Sequence, residues 1–342
     1  MHVTLKQIAD RAGVHRSTVD KVLHGREGVS DSVRLRIQQI IDELGYQPNV
    51  IGKALAQQKR PTVLAVLLLQ VDALEEIRAG VEWALEEIRP YGVRVEYHIS
   101  NDHDSDAQVR ILDHLQEASV DGILIMPVRD EAVICRIDRL FEQDIPVVTV
   151  NTDLPGSRRA CFVGQDSVRA GRVAGALMTE ILGGQGTIAL ITSSASMLCS
   201  VDRQQGFEAY LLENSPGLQI EATVETFEEA ITAYQETLSL IQSRPNLRGL
   251  FVTCGNASEV CRAVRDGGLA GQLKIICFDL YPVLLPLVRD KTITFTIGQS
   301  LVAQGQQGLK HLFGLIFQQK VPDTDFIGMP IDIRLSENID HP

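Results

Sequence analysis

Two sets of polar side chains in this chain of 342 residues have the types and spacing for recognition chemistry. His15, Arg16, Ser17, Thr18 and Lys21 run along one edge of a short helical segment. A guanidinium, an ammonium and hydroxyls arranged this way can reach base edges and phosphates. Asn151, Asp153, Gln165, Asp166, Asp279 and Gln299 stand at or just after the ends of apolar runs. Amides and carboxylates there can hold a hydroxyl-rich ligand, whose hydroxyls donate and accept at once. A charged group in such a place is costly unless paired or liganded. A plainer role is open to each; Asp166, for instance, can simply N-cap the helix after it.

The elements that must carry the first set begin at Thr4. TLKQIADRAGVHRSTVDKVL reads as two amphipathic helices broken at Gly13, where a left-handed backbone is easiest. Leu5, Ile8, Ala9 and Ala12 share one face of the first helix, and Val14, Val19 and Val22 supply the buried side of the second. Thr4 can cap the first helix, with Gln7 closing a capping box. A tight turn between two such helices is a helix-turn-helix pattern, although a helical hairpin with a solvated basic face fits it too. A third helix from Ser30 to Gly45, with Val33, Ile37, Ile40, Ile41 and Leu44 as its stripe, favours the first reading. Its second helix would then enter a major groove.

The stretches VTLKQIADRAGV, STV, VS, ELGYQPN and ALA resemble the headpiece and hinge of the lactose-repressor/galactose-repressor (LacI/GalR) family of bacterial transcription regulators. The resemblance covers the headpiece almost without a gap and continues weakly along the chain. It implies that residues 15, 16, 17 and 21 are reading positions, with Arg16 suited to a bidentate guanine contact. Asp20 stands where the family usually has serine, and is expected to hold Lys21 or Arg16 in place. Residues 49–57 match the family's hinge helix, including Asn49. Leu55 stands at the position of its minor-groove wedge. Such a short helix, with Gly52 inside it, is expected to fold only on DNA.

Net charge is −12, which read globally argues against nucleic acid. Residues 1–60, however, hold ten Lys/Arg and six Asp/Glu, leaving +4 there and −16 on the rest. DNA contact is therefore expected at the head alone. No apolar run reaches membrane-spanning length, and the N-terminus has no signal-peptide pattern, so a cytoplasmic protein without membrane partners is expected. The six cysteines lack CxxC or His-paired spacing and read as buried, reduced thiols; no metal and no cofactor are expected.

From Thr62 onward, apolar strand-like runs alternate with helical stretches: 62–69, 93–99, 121–127, 146–151, 160–164, 186–192, 218–224, 247–253, 273–279 and 294–298. Continuous apolar strands between helices imply parallel sheets covered on both faces. Ten strands fit two doubly wound subdomains better than one sheet. The expected fold is thus α/β: an all-α helix-turn-helix headpiece (1–46), a hinge helix and linker (47–61), then two doubly wound α/β subdomains (62–342) of periplasmic-binding-protein-like type. The first subdomain is expected at about 62–162 and 294–326, the second at about 163–293 and 327–340.

The body resembles ribose-type periplasmic sugar-binding proteins, as LacI/GalR regulatory domains do. That resemblance implies Arg203, before a Gly-aromatic pair, as a ligand residue. It also implies Phe227 as an aromatic stacked on a sugar, and Asn256 near an expected asparagine. The first loop departs most, having Asp72, Ala73 and Leu74 in place of an asparagine-proline-aromatic segment. One stacking wall is then missing, which admits a polyol or sugar acid beside hexoses, with Asp72 still in reach.

The reading is a transcriptional regulator, expected to be a repressor and a homodimer on near-palindromic operator DNA, controlled by a small-molecule effector. Its alternatives are a transport-type solute receptor and an enzyme on a doubly wound fold. The sequence shows no glycine-rich phosphate loop, metal-ligand spacing or nucleophile elbow. Gly183, Gly184 and Gly186 read as a helix stop.

Overall fold

The computed structural model describes residues 5–23, 28–44, 61–101, 104–320 and 322–339. Thr4, Asn49 and Leu55, and with them the expected hinge helix, lie outside these residues.

In the headpiece, α1 (Leu5–Ala12), α2 (Arg16–Leu23) and α3 (Asp31–Leu44) pack around Ile8, Ala9, Ala12, Val19, Val22, Ile37, Ile40 and Ile41. Helical spacing placed all eight on inward faces. Gly13 has φ +62°, and the Val14 amide donates to the Ala9 carbonyl at 3.0 Å, closing the turn that sets α2 across α1.

The body begins with β1 (Thr62–Leu69), α4 (Leu74–Ile88), β2 (Val93–Ser100), α5 (Ser105–Glu117), β3 (Gly122–Ile125), α6 (Glu131–Glu142), β4 (Val147–Val150) and β5 (Cys161–Gln165). It continues with α7 (Ser167–Leu182), β6 (Gly186–Thr192), α8 (Leu198–Asn214), β7 (Leu218–Glu225), α9 (Ala230–Ser243), β8 (Leu247–Val252), α10 (Ala257–Asp266) and β9 (Lys274–Phe278). It closes with α11 (Leu285–Arg289), β10 (Phe295–Gly298), α12 (Leu301–Phe313), β11 (Phe326–Met329) and β12 (Asp332–Arg334). All ten sequence-expected strands form. β11 and β12 were not expected, being short and only partly buried, so no continuous apolar run marks them.

The two sheets repeat one plan. The first has strand order β11-β5-β4-β3-β1-β2 and the second β12-β10-β9-β8-β6-β7. Every pairing is parallel except β10 with β12. Each order reverses once, between β1 and β3 and between β6 and β8. Such a switch opens a crevice beyond the strands' carboxyl ends. Apolar clusters cover both faces of each sheet.

The subdomain boundaries correct the sequence reading. Strand 294–298 was expected in the first subdomain but pairs with β9 in the second. β5, which runs on to Gln165, and β11, which runs on to Met329, belong to the first sheet. The chain therefore crosses between subdomains at 165–167, 298–301 and 329–332. Apolar runs of equal length say nothing about which distant strand each will pair with, and that pairing decides subdomain membership.

Each subdomain also contains a helix pair in close approach. A Cβ on Gly80 would lie 1.9 Å from the Val302 carbonyl oxygen, and one on Gly305 2.0 Å from that of Ile77. In the second subdomain a Cβ on Gly171 would lie 2.0 Å from the Arg203 carbonyl oxygen, and one on Gly206 1.9 Å from that of Val168. Only glycine allows these backbones to touch.

Candidate functional sites: a basic helix edge and an interdomain cleft

On the headpiece, α2 presents His15, Arg16, Ser17 and Lys21 to solvent and Thr18 partly so, while Val19 and Val22 anchor its other side. His15 Nδ1 accepts the Ser17 amide N–H at 3.3 Å and meets Ser17 Oγ at 2.9 Å. His15 thus caps the start of α2.

The second site lies where the strands of both sheets end. Asp72, Asn151, Arg203, Asp279 and Gln299, all expected from sequence, line one cavity there. Arg203 projects from α8 and is buried. Its Nη1 donates to the Thr253 carbonyl at 2.7 Å and its Nη2 to Gln299 Oε1 at 2.5 Å. Its guanidinium carbon stands 3.7 Å from the Phe278 ring centre, a cation–π contact. Gln299 Nε2 donates to Asp279 Oδ2 at 2.7 Å, and Tyr281 Oη donates to the same oxygen at 3.2 Å. Asn151 Nδ2 reaches Gln299 Oε1 at 3.4 Å from the first subdomain. One hydrogen-bonded chain therefore runs from β4 across the crossover after β10 to the ends of α8 and β9.

Backbone strain gathers at the same place. Asn151, Phe227, Glu228, Asn256, Asp279 and Ser300 all have φ between +53° and +66°. Each follows the carboxyl end of a strand. Non-glycine residues held in the left-handed region cost free energy and cluster where geometry serves function.

Burial dominates the electrostatics. It pushes the Asp279 carboxyl up to about 6, against the Arg203 charge and the hydrogen bonds from Gln299 and Tyr281. Tyr281 is pushed well above its usual range by burial and then by Asp279, Asp72 and Glu76. Glu76 is raised by burial, with Asp72 adding to the effect.

The other expected ligand residues are placed differently. Asp166 caps α7 by accepting the Arg169 amide at 2.9 Å, which is its plainer role. Asp153 is held by Arg159, whose Nη2 lies 2.6 Å from Asp153 Oδ2, and by Thr149 Oγ1 at 2.9 Å. Gln165 Nε2 donates to the carbonyls of Gly298 at 3.0 Å and Pro330 at 2.8 Å. It ties all three crossovers together and does not line the cavity. Phe227 is 44% exposed and also stays outside; its neighbour Glu228 lines the wall instead. Asn256 is buried between the lining residues Gly255 and Ala257, its backbone N–H donating to Asp72 Oδ2 at 3.1 Å.

Sequence reasoning missed Glu228, Tyr281 and Phe278. Each lies within two positions of a residue it did name, so the loops were found but not the side chains that turn inward. Five cysteines are buried as expected, while Cys135 is exposed on α6.

The two regions that carry these sites match two families of known proteins. Residues 4–49 match the bacterial regulatory proteins of the lacI family, and residues 70–320 match the periplasmic binding protein domain. The chain is 28% identical to the HTH-type transcriptional regulator AglR of Rhizobium meliloti (strain 1021), over 98% of this chain and 94% of that protein. It is 27% identical to catabolite control protein A of Staphylococcus epidermidis, over 96% of each. Among solved structures, GanP, a glucose-galactose binding protein from Geobacillus stearothermophilus, is 25% identical with a TM-score of 0.75, over 82% of this chain and 99% of that one. With a lacI-type headpiece followed by a periplasmic binding protein domain, the chain belongs to the lacI family of bacterial transcriptional regulators.

Proposed function

We propose that this regulator is a homodimeric repressor whose operator affinity is set by a small polyhydroxylated effector closing the cleft. The observation that carries the reading is the Asn151–Gln299–Asp279 and Arg203 network. It joins both subdomains and a crossover through side chains suited to hydroxyl groups. A ligand that takes part in it binds one relative setting of the subdomains better than another, and so shifts their equilibrium. The cavity of about 40 Å³ has room for a few waters, so effector entry requires the cleft to open. The α2 edge reads a half-site, and two headpieces of a dimer match a near-palindrome. Leu55 is proposed as the wedge between base steps. Because its DNA partner is cytoplasmic, so is the protein. Among the described residues no helix is long and apolar enough to cross a membrane.

The test is selection of a random duplex library on the full chain. The selected sites should converge on a near-palindrome, with affinity falling steeply as salt rises. Arg16→Ala should lower affinity for that site by about 1–3 kcal/mol and leave binding to scrambled DNA nearly unchanged. Failure to converge would remove the regulator reading. Equal losses on both DNAs would reduce Arg16 to a backbone contact.

A further inference from the structure

The cleft carries more carboxylates than cations. Asp72, Glu228 and Asp279 line the cavity, and among its described lining residues Arg203 is the one cation. Arg203 is turned toward the Thr253 carbonyl and Gln299, and its charge acts on Asp279 through space without a direct ion pair. Asp279 instead takes its hydrogen bonds from Gln299 and Tyr281, both neutral. Glu76 lines the adjoining pocket together with Asp279 and Tyr281, so the acidic wall continues past Asp72. Asp72 and Glu228 approach from opposite subdomains. A point one Cβ bond from Gly255 lies 3.0 Å from Asp72 Oδ2 and 2.5 Å from Glu228 Oε2. Closing the cleft thus gathers carboxylates in a low-dielectric space, where their repulsion grows.

Two further groups say what a ligand must offer. Arg203 Nε, in the cavity wall on a residue 4% exposed, is a donor without an acceptor. Asn256 Oδ1, on a residue 7% exposed beside Asp72, is an acceptor without a donor. Buried groups of this kind are normally satisfied, and a ligand in the cavity would satisfy Arg203 Nε, whose side chain lines it. Among the described residues no three His, Cys, Asp or Glu side chains are grouped to hold a metal ion. The complement is an organic cation that also carries hydroxyl oxygens.

We propose that the effector is a protonated amino sugar or amino polyol, its ammonium held among Asp72, Asp279 and the Glu76 side of the cleft and a hydroxyl oxygen facing Arg203. This rests on the cleft being the effector site. Neutral sugars of the same shape fill the pocket without offsetting its charge and bind more weakly. Sugar acids are repelled.

The experiment is thermal unfolding and titration calorimetry of the full chain with matched probes. Glucosamine, galactosamine, mannosamine and 1-amino-1-deoxysorbitol are each set beside the parent hexose or sorbitol, with glucuronate and galacturonate as the acidic set. At least one amine should bind tenfold or more tightly than its parent, and Asp72→Asn and Glu76→Gln should each shrink that ratio. A neutral or acidic probe that outbinds every amine overturns the proposal and leaves the effector-cleft reading standing. An amine preference unchanged in both variants overturns it as well, as does stabilisation by magnesium or calcium chloride that matches the best amine. If no probe of any charge binds, both the proposal and the reading beneath it fail.

Discussion

Asp279 concentrates the physics of the cleft in one side chain. Its carboxyl titrates near 6 because burial disfavours the anion more than Arg203, Gln299 and Tyr281 favour it. The native state therefore holds this proton at pH values where the unfolded chain, near 4, has released it. Stability from this group is fully present below the unfolded value and is lost as pH rises through about 6. Asp279→Asn removes the titration. Its stability relative to the parent protein should improve by about 2 kcal/mol from about pH 4 to about pH 7.5. Urea unfolding of both proteins at the two ends checks this, and a difference independent of pH would show that Asp279 is well solvated. The same variant should weaken effector binding at least tenfold, since a charged hydrogen bond contributes about 1.5–3 kcal/mol.

At the scale of elements, the glycine contacts decide how accurately the site is built. Gly171 on α7 sits directly against the backbone carbonyl of Arg203 on α8, so the depth of the site arginine is set by the absence of a side chain two helices away from the ligand. Gly171→Ala must push α8 outward. The expected cost is about 1–3 kcal/mol of stability, as for other overpacked sites, together with weaker effector binding. Gly305→Ala forces apart the matching pair α4 and α12, which carries Glu76 but neither Arg203 nor Asp279. It should cost similar stability with a smaller effect on binding. Denaturant midpoints and calorimetry on the two variants separate these outcomes. Equal binding losses would mean that the helix pairs act on the cleft through overall stability alone.

At the scale of the whole molecule, Gln165 ties the two halves together at their crossovers. It leaves the first crossover and donates to carbonyls of the second and third, inside a region 1% exposed at the residue itself. Gln165→Leu keeps the bulk and removes both bonds. Amide exchange at residues 165–167, 298–301 and 329–332 should then quicken by roughly tenfold, the equivalent of about 1.4 kcal/mol, while β1 and β6 keep their protection. Unchanged exchange at the crossovers would assign the hinge's stiffness to its backbone strands alone.

What was legible in the residues follows from short-range physics. The period of Ile8, Ala9 and Ala12, the turn at Gly13 and the apolar strand runs specify helices, strands and two kinds of recognition surface. Positions at strand ends were enough to find Asn151, Asp279 and Gln299, because in a doubly wound sheet every carboxyl end opens on the same crevice, while Asp72 was read from the loop where the resemblance departs. Arg203 came from resemblance instead, since it stands on a helix. Tertiary structure alone decided three matters. It assigned strand 294–298 to the second sheet, because pairing depends on partners far away in sequence. It turned Gln165, Asp153 and Asp166 to hinge, ion pair and cap, because a polar side chain takes the partners that packing brings to it. It placed Glu228 in the cavity wall and left Phe227 outside, although both residues have left-handed backbones in the same loop. Which of two neighbours faces the cavity is set by that local backbone turn, and no period in the sequence records it.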